Sequence, residues 1–257
     1  MIESSREEFD LTGKVAIVTG AGRGLGYHIS LALAKYGADV VVCSRTGSEL
    51  KKVAADIEQL GRRALIQSLD LRNIKSIQPM IDEAVKTFGR IDVLVNNAGV
   101  NRPQWALEVT EENWDLVINT NLKGLFFCAQ AVAQVMIHQR KGKIINISSD
   151  AGTVGLPRRA AYCASKGGVN LLTKVLAIEW AEYHINVNAI APAFIETPLT
   201  QPMFEEKGFR EYVLGNTPLG RVGKPADVTG AVVFLASEAS DYMTGHVMLI
   251  DGGWTAH

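Results

Sequence analysis

The sequence predicts an α/β protein built on a doubly wound, mostly parallel sheet of seven strands with helices on both faces. Three observations lead there. Seven short β-branched runs recur along the chain, segments with helical spacing of apolar residues separate them, and several of the runs are apolar almost throughout. A run that is apolar at every position suits a strand buried on both faces, and strand–helix alternation suits parallel strands joined by helical crossovers. With 257 residues and 47% hydrophobic content, the chain can cover such a sheet with one large core.

In order, KVAIVTG from Lys14 is the first strand, and a helical pattern over residues 26–36 follows and stops at Gly37. DVVVCS from Asp39 is the second, followed by helical spacing over 48–60 and Gly61; RALIQS from Arg63 is the third, followed by 74–88 and Gly89. Glycine just past a helical run is a stop signal, because it accepts the left-handed conformation that closes a helix. IDVLVNN from Ile91, KIINISS from Lys143, INVNAIA from Ile185 and HVMLID from His246 complete the strands. No Pro/Ser-rich linker, low-complexity tract or internal repeat divides the chain, so one domain over 1–257 is expected. The one interruption, a polar stretch with Pro and Gly at about 194–224, reads as an inserted substrate lid.

Composition excludes several classes. A formal charge of −1 gives no field for nucleic acid or an anionic membrane. The start, MIESSREEFD, is acidic where a signal peptide needs a basic end and an apolar run, and nowhere do eighteen apolar residues follow one another; a soluble, cytoplasmic protein is expected. Cys43, Cys128 and Cys163 are an odd count without CxxC spacing or a nearby His cluster, so neither a disulfide framework nor a metal site is expected.

Two motifs carry chemistry. The first strand runs into TGAGRGLG, Thr19 to Gly26, where glycines let the backbone turn tightly and approach a pyrophosphate held at a helix N-terminus. The GxGxxG pattern fails, since its third glycine would fall on Leu25 or Tyr27, and no Gly-Lys-Ser/Thr ending makes a P-loop; TGxxxGxG fits through Thr19, Gly20, Gly24 and Gly26. The second motif is YCASK, Tyr162 to Lys166. Positions i and i+4 share a helix face, with Cβ atoms roughly 5–6 Å apart. An ammonium at that range is expected to lower the tyrosine pKa and let the phenol exchange protons.

With NNAG at Asn96 to Gly99 after the fourth strand, and Ser149 ending the fifth strand thirteen residues before Tyr162, these motifs make nearly the whole chain resemble the short-chain dehydrogenase/reductase family, a Rossmann-type fold. The branch containing epimerases and dehydratases usually carries GxxGxxG, which is absent here, so redox chemistry is implied. The resemblance assigns roles position by position. Tyr162 protonates a carbonyl oxygen or deprotonates an alcohol, Lys166 lowers its pKa and holds the nicotinamide ribose, and Ser149 hydrogen-bonds the substrate oxygen. Ser148 is structural, and Asn121, rather than Asn119, holds a water in the proton path. For the cofactor it implies Gly20, Arg23, Gly24, Leu25 and Gly26 in the first turn, Asn97, Ala98 and Gly99 in NNAG, and Tyr162 with Lys166. Asp70 and Leu71 follow the third strand, Asp70 facing the adenine or else capping the next helix. Pro192, Ile195 and Thr197 reach the carboxamide, although Pro192-Ala193 stands where many relatives have Pro-Gly.

Cofactor choice rests on Ser44-Arg45, which ends the second strand without the acid of NAD-preferring relatives. Arg45, with Arg23 opposite, offers a charged fork to a 2′-phosphate, so NADP(H) is expected over NAD(H). For the substrate, VNRPQW places Arg102 and Trp105 at the sheet's carboxyl edge, and LPRRAAY places Arg158 and Arg159 before the tyrosine. Arginines suit a carboxylate or phosphate, and an aromatic suits a sugar-like face. The NNAGVNRP loop and the terminal DGGWTAH resemble members acting on keto-sugar acids, such as gluconate 5-dehydrogenases; 3-oxoacyl-carrier-protein reductases share the core motifs. A 5-ketogluconate-type carbonyl or alcohol is the expected small-molecule substrate. A non-enzymatic NADP sensor would have little reason to keep Ser149, Tyr162 and Lys166 together. The resemblance also implies a homotetramer that buries long helices at about 116–137 and 162–182.

Overall fold

The computed structural model describes residues 7–256. Its seven strands are β1 (Val15–Thr19), β2 (Asp39–Ser44), β3 (Ala64–Ser68), β4 (Val93–Asn96), β5 (Gly142–Ile147), β6 (Ile185–Pro192) and β7 (Val247–Ile250). They form one sheet in the order β3-β2-β1-β4-β5-β6-β7, and every neighbouring pair is parallel. Every residue of β1, β4 and β5 is buried, which accounts for their unbroken apolar runs. From β1 the chain winds outward to β3 and then returns to the other side for β4. The connections leaving β1 and β4 therefore diverge and open a crevice at their carboxyl ends.

Helices α1 (Gly24–Lys35), α2 (Gly47–Gln59) and α9 (Pro225–Ala236) cover one face, where Ile29, Leu33, Leu50, Ile57 and Val232 pack on Val40, Val42 and Val95. On the other face lie α3 (Ile77–Phe88), α5 (Leu125–Gln139) and α6 (Ala160–Trp180), whose Met80, Ile81, Val132, Met136 and Leu176 pack on Ile17, Val41 and Leu94. Val40 and Val42 serve one core and Val41 the other, as the two-residue period of a strand requires. The stretch Glu111–Gln139 is apolar enough by composition to cross a membrane. It includes α5, and Cys128, Ala129, Val132, Ala133 and Met136 of α5 are core residues here.

Several boundaries differ from the sequence reading for identifiable reasons. The pattern expected from residue 74 begins as a 3-10 turn, Ile74–Ser76, because Pro79 has no N–H to give and fits only the first turn of α3. That helix ends on Gly89 at φ 79°, in the left-handed region anticipated for it. β4 is shorter than expected partly because the Ile91 N–H is taken by the Gln139 side chain at 2.9 Å. The long helix expected over 116–137 is three pieces: α4 (Glu111–Ile118), a π-helical turn at Asn119–Gly124, and α5. A π turn of this kind often marks a functional position.

Between β6 and α9, short helices α7 (Gln201–Phe204) and α8 (Phe209–Asn216) occupy the polar stretch. An aromatic cluster pins them down. Trp254, from the chain's end, lies 5.1 Å from the Phe194 ring and 5.7 Å from that of Tyr212, and Phe194 lies 5.5 Å from Phe209. Edge-to-face pairs of this kind add about 0.5–1.5 kcal/mol each beyond burial.

Candidate active site

A cleft of about 580 Å³ opens at the carboxyl ends of β1, β4, β5 and β6 and runs under the segment that carries α7. Its walls include all the cofactor positions named from the sequence: the glycine turn, Ser44 and Arg45, Asp70 and Leu71, Asn97 to Gly99, Tyr162 and Lys166, and Pro192, Ile195 and Thr197.

The glycine turn is shaped for close approach. At Gly20, φ is 66°, and a Cβ would stand 2.8 Å from Ala98 Cα; at Gly26 a Cβ would collide with the Gly20 carbonyl. NNAG braces the turn from the neighbouring strand: Asn97 Nδ2 donates to the Thr19 carbonyl at 2.9 Å, and Thr19 Oγ1 accepts the Asn97 and Ala98 N–H groups at 3.0 and 3.1 Å. No side chain caps α1, so the N–H groups of its first turn are available to an anion. A cradle without side chains that leads onto a helix N-terminus fits the pyrophosphate of a dinucleotide.

The adenosine end departs from the expectation of two free arginines. Arg45 lines the cleft and makes no ion pair among the described residues. Arg23 lies 3.6 Å from Glu49 on α2, a carboxylate that also lines the cleft. The sequence reading sought an acid only at the end of β2, and this one arrives a helical turn later. Asp70 is held by Arg72, whose Nε and Nη2 donate to Oδ2 at 3.0 and 2.6 Å and keep the carboxyl below its ordinary pKa. Its carboxylate also takes the Arg72 N–H, and the N-cap position of α3 belongs to Ser76, so Asp70 does not cap that helix.

At the other end stand Ser149, Tyr162 and Lys166. α6 begins at Ala160, which puts Tyr162 in its first turn and Lys166 one turn further. Lys166 is 4% exposed; its Nζ donates to the Ile147 carbonyl at 2.7 Å and lies 5.6 Å from the centroid of the Tyr162 ring. The expected lowering of the phenol pKa is overturned in this structure. Burial pushes Tyr162 up to about 12 and pushes Lys166 down to about 8. Desolvation penalises both charged forms, and here it outweighs the attraction inferred from spacing alone.

Asn121 sits in the π turn, fully buried behind the cleft. Its Oδ1 accepts the Val100 N–H at 2.8 Å, and its Nδ2 donates to the Val100 carbonyl at 2.9 Å and to Ser165 Oγ at 3.2 Å. It ties the loop after NNAG to α6. Ser148 donates to Asn170 Oδ1 at 2.6 Å, the structural part expected of it.

The substrate residues are only partly brought together. Arg102 lines the cleft, but Trp105, Arg158 and Arg159 are not among its walls. Trp105 is exposed, Arg158 reaches across to Glu206 at 3.1 Å, and Arg159 is buried with its Nη2 2.9 Å from Met203 Sδ. Met203 and Glu206, which do line the cleft, were missed: they lie in a polar stretch with no periodic pattern, and only the folded chain swings them over the site.

A glycine cradle at the sheet's switch point, leading to a serine, a tyrosine and a lysine, defines a dinucleotide-dependent oxidoreductase, and the chain belongs to the short-chain dehydrogenase/reductase family. A family model described as enoyl-(acyl carrier protein) reductase matches residues 20–255. The chain is 46% identical over 252 residues to the 2-dehydro-3-deoxy-D-gluconate 5-dehydrogenase of Escherichia coli (strain K12), covering 96% of this chain and 98% of that one. It is 44% identical over 243 residues to the 3-oxoacyl-(acyl-carrier-protein) reductase FabG of Thermotoga maritima, covering 95% and 98%. Among solved structures, a gluconate 5-dehydrogenase from Burkholderia cenocepacia J2315 in complex with NADP and tartrate superimposes with a TM-score of 0.95 at 36% identity, covering 98% of this chain and 99% of that one.

Proposed function

We propose that the protein catalyses NADP(H)-dependent oxidoreduction at a secondary alcohol or carbonyl of a keto-sugar acid of the 5-ketogluconate type. The observation that carries the reading is the placement of Ser149, Tyr162 and Lys166 at the end of the dinucleotide cleft that Arg102 also lines. Two of the relatives named above act, by their names, at position 5 of a gluconate-type acid. When bound, the nicotinamide supplies hydride to a carbonyl carbon or takes it from an alcohol carbon. The residues do the rest. Tyr162, kept as a neutral phenol at pH 7 by burial, holds the proton that reduction delivers to the substrate oxygen. Ser149 donates a hydrogen bond to the same oxygen, and Lys166 beside the phenol favours the phenolate left behind. Arg102 is the cation available to the substrate carboxylate. The segment at 194–224 acts as a lid, bridged to the loop before α6 by the Arg158–Glu206 pair.

Arg45 supports NADP(H), since a guanidinium facing the cleft can fork onto a 2′-phosphate, with Glu49 drawing Arg23 aside. The second reading, a 3-oxoacyl-carrier-protein reductase, is favoured by the similarity to the Thermotoga enzyme and by arginines near the mouth that suit an acidic carrier. Parallel steady-state kinetics with 5-ketogluconate and an acetoacetyl thioester, both with NADPH, separate the two. A kcat/KM at least roughly tenfold higher for the thioester, about 1.4 kcal/mol of transition-state stabilisation, rejects the sugar-acid reading.

A further inference from the structure

Beside Ser149 lies a buried acid that the chemistry above does not use. Asp150 is 2% exposed. Its Oδ1 accepts the Ser149 hydroxyl at 2.6 Å and the Ala151 N–H at 2.7 Å. Its Oδ2 is buried and has no hydrogen-bond partner among the described residues. A serine hydroxyl has one proton to donate. Donated to Asp150, that proton is not available to an oxygen in the cleft, and Ser149 Oγ presents only lone pairs there. A carboxylate oxygen buried without a partner is costly. A carboxylic acid with its proton on Oδ2 removes the buried charge, the larger part of that cost, and leaves Oδ1 a weaker acceptor, since ionised acceptors make the stronger hydrogen bonds.

We propose that Asp150 is a positioning residue that decides where the Ser149 hydroxyl points: as a carboxylate it holds the proton inward, and as an acid protonated on Oδ2 it releases the hydroxyl to the substrate oxygen. This rests on the role given to Ser149 above. The surroundings favour the acid. Burial raises the Asp150 pKa against the Ser149 and Ala151 hydrogen bonds, and Asp251, in the turn after β7, opposes ionisation as well. Tyr162 on α6 faces the same carboxylate, and Lys166 on that helix directs its ammonium to the Ile147 carbonyl instead. β6, the strand beneath, carries no titratable side chain.

The test is the pH profile of kcat/KM for carbonyl reduction from about pH 4.5 to about pH 9 in the wild type, Asp150→Asn and Asp150→Val. Asn keeps the Oδ1 acceptor and Val removes it; neither ionises. Loss of the Lys166 charge imposes a fall near pH 8 on all three proteins; below it the wild type is expected to show a further descending limb of slope about −1, with a fall of at least about tenfold, that both variants lack. NADPH fluorescence on binding reports that each variant is folded, and if Asn is not tolerated the Val variant still decides. An acid with a purely structural part changes activity by a factor independent of pH and leaves the limb in place, so coincident profile shapes overturn the proposal. Ser149→Ala separates the two readings. If it is as active as the wild type, the role of Ser149 falls and the proposal with it. If it is impaired while the variants at 150 keep the limb, only the proposal for Asp150 falls.

Discussion

Lys166 holds an ammonium where the fold disfavours one, and replacing it should uncover that cost. Burial brings its pKa from 10.5 to about 8. At 1.36 kcal/mol per pKa unit, the charged form costs the native state about 3 kcal/mol at neutral pH relative to the unfolded chain. For a base with a depressed native pKa, the unfolded state binds more protons between the two values. Wild-type stability should therefore rise with pH from about 8 to about 10.5, and the gain should be lost as pH falls through about 8. Lys166→Met keeps the length and removes the titration. It also leaves the Ile147 carbonyl without its donor, a penalty of about 1–3 kcal/mol that does not vary with pH in this window and cancels when the two proteins are compared across it. The assay is urea denaturation of both proteins, without cofactor and at fixed protein concentration, from about pH 7 to about pH 10.5. The wild type should gain about 3 kcal/mol on the variant across the window. A difference that stays constant to within about 0.5 kcal/mol means that the ammonium is not desolvated, contrary to its burial beside Tyr162.

Two further outcomes are expected. Wild-type kcat/KM should be higher with NADPH than with NADH, and Ser44→Asp combined with Arg45→Ile should reverse the order, since an acid at the end of β2 repels a 2′-phosphate; equal or better use of NADH by the wild type contradicts the reading of Arg45. Light scattering should give a homotetramer, because Leu171, Val175 and Ile178 on α6 and Trp114 on α4 leave large apolar side chains exposed, as a subunit interface would; a monomer alone at micromolar concentration contradicts it.

The strands were legible in the sequence because in a doubly wound sheet an element's burial is written into every residue: Val40, Val41 and Val42 are apolar whichever core they serve. The cofactor cleft was legible because its glycines and NNAG answer local backbone demands. Tertiary encounters were not. The π turn at Asn119–Gly124 has no periodic signature, and Asn121 is held there by bonds to Val100 and Ser165. Arg158 and Arg159 were read as facing the substrate because they precede Tyr162, yet their partners, Glu206 and Met203, are contributed from beyond β6. The Tyr162 pKa went the wrong way for a related reason: spacing reveals a neighbouring charge, whereas desolvation depends on everything packed around it.

Everything above turns on Tyr162 carrying the proton in a dinucleotide-dependent redox reaction. Tyr162→Phe keeps the ring between Ser149 and Lys166 and removes only the hydroxyl, and its steady-state turnover, set beside its NADPH affinity, tests that claim most directly. The variant's kcat should fall at least roughly 10²-fold with NADPH binding little changed. A phenylalanine variant that turns over like the wild type contradicts it.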